Sequence, residues 1–336
     1  IKGRAVMDIL AGTSRGIFRI NGGAPVQTLT ARGVRDIVRA GGRLMAGTGE
    51  GLWISDDDGG SWRCAALADR EIWQIRQAGD GAIYAGTQPA GLFRSEDGGE
   101  SWSEIESFTQ SPEAARWCVP IDPPLPGRAR AIVVDPDDPQ RIAVGVEVGG
   151  IMLSEDRGRS WNLVMPGGNP DLHMMFADPA QPGVVYASTG YGRFDGIAEM
   201  VEGNAGVFRS DDGGRNWAYA WKGITPRYAR PMCVDGRGGV ALTVASAPTA
   251  FSHYRDEGGA GAMLYRSEDG GGSWRSLCDE AHTPSAPNFH GLTTDPERPG
   301  GVLVGTDNGE LWRVSASAEW LKLGEGMPSV LAIHAD

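Results

Sequence analysis

Short apolar runs alternate with Gly- and Asp-rich turns along the whole chain. The clearest stretch reads VRDIVRA (34–40), RLMAGT (43–48), LWIS (52–55) and WRCAAL (62–67). Runs this short, divided by turn residues, predict β-strands. The same order then returns: an apolar run, a turn, a run ending in a Gly-Thr-like pair, a loop, a third run, a polar turn, and a fourth run opened by Trp. Four antiparallel strands in a unit of about 40–50 residues make one propeller blade.

The polar turn between the third and fourth runs repeats as Ser-x-Asp-x-Gly-x-x-Trp. It occurs as Ser55, Asp57, Gly59 and Trp62; Ser95, Asp97, Gly99 and Trp102; Ser154, Asp156, Gly158 and Trp161; Ser210, Asp212, Gly214 and Trp217; and Ser267, Asp269, Gly271 and Trp274. Its chemistry is that of a tight turn: Ser and Asp side chains can bond turn amides, Gly permits positive φ, and Trp offers a large ring to bury. Two further repeats lack the full turn. Residues 289–323 end in AEWLKL with Trp320 in the Trp position, and residues 5–29 supply a second and third strand without a first. The C-terminal VLAIHA (330–335) matches the first strand VRDIVR (34–39), so it is expected to complete the first blade and leave no open edge. The expectation is an all-β, seven-bladed propeller filling 1–336 as one domain. Its approximate blades are 330–336 with 1–30, 31–68, 69–108, 128–166, 170–222, 227–280 and 287–324.

The eight-residue turn resembles the Asp-box (BNR) repeat of sialidases, xyloglucanases, sortilin-type receptors and a photosystem II assembly factor. That resemblance implies a propeller whose boxes are structural, and it favours glycoside hydrolysis or protein interaction as functions. Sialidase activity is not implied. Those enzymes are six-bladed with a Phe-Arg-Ile-Pro segment, whereas here IFRI (17–20) runs into Asn21.

Composition narrows the partners. The net charge of −12 argues against nucleic acid or an anionic membrane surface, and no apolar run approaches a membrane span. Cys64, Cys118, Cys233 and Cys278 lack metal-binding spacing. They read as free thiols, which favours a reducing compartment, the cytoplasm. The chain opens at Ile1, which leaves room for a processed leader.

Boxes and the Asp-Pro turns (135–140, 178–183, 295–300) fall on one face, expected to be structural. The opposite face gathers three insertions, 103–128, 190–205 and 246–262. Long loops at one mouth of a rigid scaffold commonly build a site.

Aligning the first strands gives a column at that mouth: Leu331, Arg35, Trp73, Arg130, His173, Arg230 and His290. Cationic and titratable side chains in an inner column are costly unless they face a wet cavity or an anion. Guanidinium forks suit a carboxylate. Arg35, Trp73, Arg130, Arg230, Asp307 and Tyr254 are the expected substrate-binding residues, and His173, His290, Glu147 and Tyr191 the catalytic candidates. Gln88 reaches the same mouth. Glu147 beside arginines should stay ionised and suit base or nucleophile work. The insertions add Asp195, Glu199, Glu202, His253, Asp256 and Glu257. His173, His290 and Glu147 could also form a two-His-one-carboxylate metal site, although no metal or organic cofactor is called for. The leading expectation is a hydrolase or lyase of glycosidase-like type acting on a small anionic molecule or glycan; the alternative is a non-catalytic interaction propeller.

Overall fold

The computed structural model describes residues 7–194 and 204–336. Seven four-stranded antiparallel sheets follow one another around a ring. Their innermost strands are Val330–Ala335 (blade one), Asp36–Ala40 (two), Glu71–Gln77 (three), Arg128–Val134 (four), Leu172–Ala177 (five), Tyr228–Asp235 (six) and Phe289–Thr294 (seven). Each packs against the next, and the seventh against the first.

Closure occurs as the sequence match predicts. Val330–Ala335 pairs antiparallel with Ile9–Thr13, from Ile9 opposite Ala335 to Thr13 opposite Val330. The first blade is thus built from both ends of the chain, with the C-terminal strand supplying its innermost position. Apolar side chains fill the wedges between blades. Tyr84 and Leu92 of blade three meet Ile132, Val144 and Met152 of blade four, and all five are buried.

The five boxes share one hydrogen-bond scheme. In the first, Ser55 Oγ accepts from Gly59 N (2.8 Å) and donates to Asp57 Oδ1 (2.8 Å). Asp57 then accepts from the amide and hydroxyl of Ser61 at 2.8 and 2.7 Å. The other four boxes repeat these contacts, with Asn216 in the Ser61 role in the fourth. Gly59 needs to be glycine twice over: its φ is +85°, and a Cβ would come within 2.7 Å of the Leu10 side chain. The box tryptophans differ from expectation in one respect. All five are half-buried. Trp274 and Trp320 still reach backward, donating to Ala220 O (2.7 Å) and Leu277 O (2.8 Å) of the preceding blades.

Of the insertions, 103–128 folds into a helix (Glu106–Thr109), a 3-10 turn (Pro112–Arg116) and a two-stranded ribbon (Cys118–Val119 with Leu125–Pro126). Buried Phe108 anchors it against Trp117 and Trp161. Asp195, Glu199 and Glu202 lie outside the described residues. All four cysteines are free. No helix among the described residues is long and apolar enough to cross a membrane.

Candidate functional site

A recurring irregularity of the inner strands builds the site. In blades one, three, four, five, six and seven the inner strand carries one residue more than its neighbour, a β-bulge. The extra residues are Leu331, Trp73, Arg130, His173, Arg230 (with Pro231) and His290. A bulge frees a residue from the ladder and re-aims its side chain. Here the same device, repeated around the ring, turns the predicted column into the channel. In blade two the equivalent Arg35 donates its amide to Gly47 O just before the strand begins. All seven residues line one central cavity of about 570 Å³, within the usual range of small-molecule sites.

On the side of blades two to four, three guanidiniums gather on Trp73. Arg35, Arg128 and Arg130 lie 4.3, 4.5 and 5.1 Å from its ring, where the π face attracts cations. Glu147 closes this cluster. It ends the second strand of blade four, directly opposite Arg128 in the ladder, and accepts from Arg128 Nη1 (3.1 Å) and Arg130 Nη1 (2.7 Å). Burial works against its charge, but Arg130 and Arg128 prevail and hold the carboxyl well below the usual range. Gln88 is part of this frame: its carbonyl accepts from Arg128 Nε and its amide donates to Pro126 O.

Across the channel, Arg230 leans over Tyr228 (5.4 Å) and donates to Ala250 O (3.1 Å). His290 Nδ1 lies 3.4 Å from Arg230 Nη1. Burial, then Arg230 and Arg35, push the His290 pKa down to about 3, so its ring is neutral at physiological pH. His173 sits between the two sides and is fully buried. Its Nδ1 faces Ala229 O at 2.6 Å, while Nε2 lies 3.1 Å from the Tyr228 hydroxyl and 3.3 Å from Asp171 Oδ1.

Two guanidiniums stand apart. The Nε atoms of Arg35 and Arg230 are buried with no hydrogen-bond partner among the described residues, as is Trp73 Nε1. Arg35 keeps its charge at neutral pH even though burial and Arg128 lower its pKa to about 10. The other charged side chains of the wall are paired, as Arg76 is with Asp36 at 2.9 Å.

Three predicted residues stand outside the cavity wall. Tyr191 packs edge-on behind Tyr228 at 5.2 Å, in an apolar cluster with Ala205. Asp307 is a clasp, accepting from the amides of Tyr254 and Asn288 at 2.9 Å each; burial raises its pKa. The Tyr254 hydroxyl accepts from Arg255. His253 and Asp256 bond within their own loop, and Glu257 is exposed.

His290 is not grouped with Glu147 and His173 as a ligand set. The residues whose ligand atoms lie within 4.8 Å of one another are Glu147, Asp171 and His173. Their donors are engaged by the arginines, Tyr228, Ala229 and Gly192. Sequence reasoning missed Arg128, Asp171 and Tyr228. Each lies two residues before a column residue, and the period-two rule for strands would have put all three on the same face.

No family model matches the chain. In sequence it is 28% identical over 241 residues to an oligoxyloglucan-reducing end-specific xyloglucanase of Emericella nidulans, covering 60% of this chain and 26% of that protein. It is 24% identical over 239 residues to a xyloglucanase of Paenibacillus sp, covering 65% and 21%. The chain therefore spans about a quarter of the length of these curated relatives. In structure it resembles the GH74 xyloglucanase of Xanthomonas campestris (TM-score 0.62, 17% identity, 95% of this chain and 46% of that one). It also resembles YCF48 of Cyanidioschyzon merolae (TM-score 0.56, 15% identity, 86% and 84%) and YCF48 bound to D1 peptide (TM-score 0.56, 16% identity, 96% and 85%). The seven-bladed Asp-box propeller is thus shared with both groups, and the xyloglucanases are its distant sequence relatives.

Proposed function

We propose that this propeller binds a small carboxylate-bearing molecule at the mouth of its channel, with Arg35 and Arg230 as the gripping residues. One observation carries the reading: two half-buried arginines, each with a buried and unpartnered Nε, face a cavity of about 570 Å³. A charge withdrawn from water without a counter-ion is costly, and an incoming carboxylate would relieve that cost through charge-assisted hydrogen bonds. Arg128 and Arg130, already joined to Glu147, would hold the wall in place and contribute field. Arg230→Ala should weaken binding of a small carboxylate by about 1.5–3 kcal/mol, measured by titration calorimetry. Equal affinity in wild type and variant would sink the proposal. The four free cysteines fit a reducing compartment, and we propose the cytoplasm.

Hydrolysis of an acidic glycan is the reaction this reading favours, supported by the sequence relation to xyloglucanases. Glu147, held ionised, suits the base or nucleophile role in such chemistry. Release of reducing ends from acidic oligosaccharides, abolished in Glu147→Gln, would test it. A non-catalytic role is favoured by a different observation: the chain matches most of the length of YCF48, one structure of which holds a peptide. Ligand binding with no turnover of any glycan would select that role.

A further inference from the structure

The charges at the mouth are unevenly placed. Six guanidiniums line the cavity; those of Arg39 and Arg76 are paired with Asp58 and Asp336 and with Asp36, which leaves Arg35, Arg128, Arg130 and Arg230 to be balanced. Glu147 engages Arg128 and Arg130, and Asp171 lies behind, against His173. Counting both carboxylates, two guanidiniums remain uncompensated, and these are the two without salt-bridge partners among the described residues. They are also far apart in the ring. Arg35 belongs to blade two and Arg230 to blade six. Each has its own surroundings: Arg35 is stacked on Trp73, whose indole N–H is also unpartnered, and Arg230 lies beside Tyr228 and His290.

The column between these two seats carries no charge. Passing from blade two to blade six by the shorter way, the column reads Arg35, Leu331, His290, Arg230, and the His290 ring is neutral. An aliphatic side chain and an uncharged imidazole would suit an uncharged spacer. A ligand with one acidic group for each seat would give both arginines a counter-charge.

On this basis, and resting on the carboxylate-binding reading above, we infer that the ligand is a small diacid, with one acidic group at Arg35 and Trp73, the other at Arg230, and an uncharged spacer along Leu331 and His290. The two seats act together because tethered groups bind with a high effective concentration once the spacer spans them.

The test is calorimetry on the whole protein with matched pairs of acids: butyrate against succinate, pentanoate against glutarate, hexanoate against adipate. The best diacid should bind at least about tenfold more tightly than its monoacid. In Arg35→Ala and in Arg230→Ala, each verified as folded by its melting curve, that advantage should vanish. If diacids bind no better than their monoacids in the wild type, the two-seat inference is overturned while carboxylate binding stands. If inorganic sulfate displaces the best diacid at equal concentration, the ligand is a compact dianion and the inference is again overturned. If neither series binds, both this inference and the carboxylate-binding reading fall. The wild-type comparison needs no variant, so a variant that does not fold leaves the test intact.

Discussion

Glu147 is where the chemistry of the mouth and the stability of the ring meet, so Glu147→Gln is an informative perturbation. The carboxylate accepts from Arg130 at 2.7 Å and Arg128 at 3.1 Å, with side-chain exposures of 10% for Glu147, 12% for Arg130 and 19% for Arg128. Removing one partner of a buried ion pair costs about 3–5 kcal/mol, because the remaining charge stays buried and uncompensated. Here two guanidiniums would be left facing each other and Arg35. With an unfolding entropy of about 2.1 cal/mol/K per residue, a chain of 336 residues loses roughly 4–7 °C of melting temperature for that cost. The pH dependence follows from the direction of the shift. Because the folded carboxyl is held below its ordinary value of 4.5, its contribution is present above that pH and fades as pH falls toward the folded value. Differential scanning calorimetry should therefore show a clear gap between wild type and variant at pH 7 that narrows below about pH 4. Melting temperatures within about one degree at pH 7 would refute the claim that the pair holds the ring.

Other consequences can be checked with similar means. Truncation before Val330 removes the inner strand of the first blade and should abolish cooperative melting; a sharp unfolding transition in the truncated chain would contradict ring closure as the source of stability. Trp274→Ala, at a half-buried ring that donates to Ala220 O, should cost about 2–3 kcal/mol, below the range for a fully buried Trp, read from denaturant midpoints. The box carboxyls Asp57, Asp97, Asp156 and Asp269 sit at about 2, held down chiefly by bonds from Ser61, Ser101, Ser160 and Ser273. Their contribution is complete above the ordinary 3.8 and lost as pH falls toward 2. Asp→Asn variants of the boxes should therefore flatten the acid limb of the stability curve, and an unchanged limb would assign acid unfolding elsewhere. Tyr191→Phe should leave carboxylate affinity unchanged, since the hydroxyl lies behind Tyr228; a loss of binding would return Tyr191 to the site.

The fold was legible because it is periodic. Five boxes and the match of 330–335 to 34–39 fix the blade count and the closing strand without any knowledge of contacts. The column at the mouth was legible for the same reason: its members occupy equivalent positions, and polar residues stand where packing would favour apolar ones. The bulges that aim them were not visible, since one extra residue in a strand leaves no mark in composition. The companions Arg128, Asp171 and Tyr228 were within reach of the period-two rule. Asp307 and Tyr254 show the opposite limit. Both come from loops of the expected face, yet a carboxylate that caps two amides is indistinguishable in sequence from one that faces a ligand.

The central claim is that an anion belongs between Arg35 and Arg230. An anomalous difference map from crystals soaked in selenate, measured at the selenium edge, tests it directly. A peak is expected inside the channel mouth within hydrogen-bond reach of Arg35 and Trp73 or of Arg230. Peaks confined to outer-surface arginines, with the mouth empty, would contradict it.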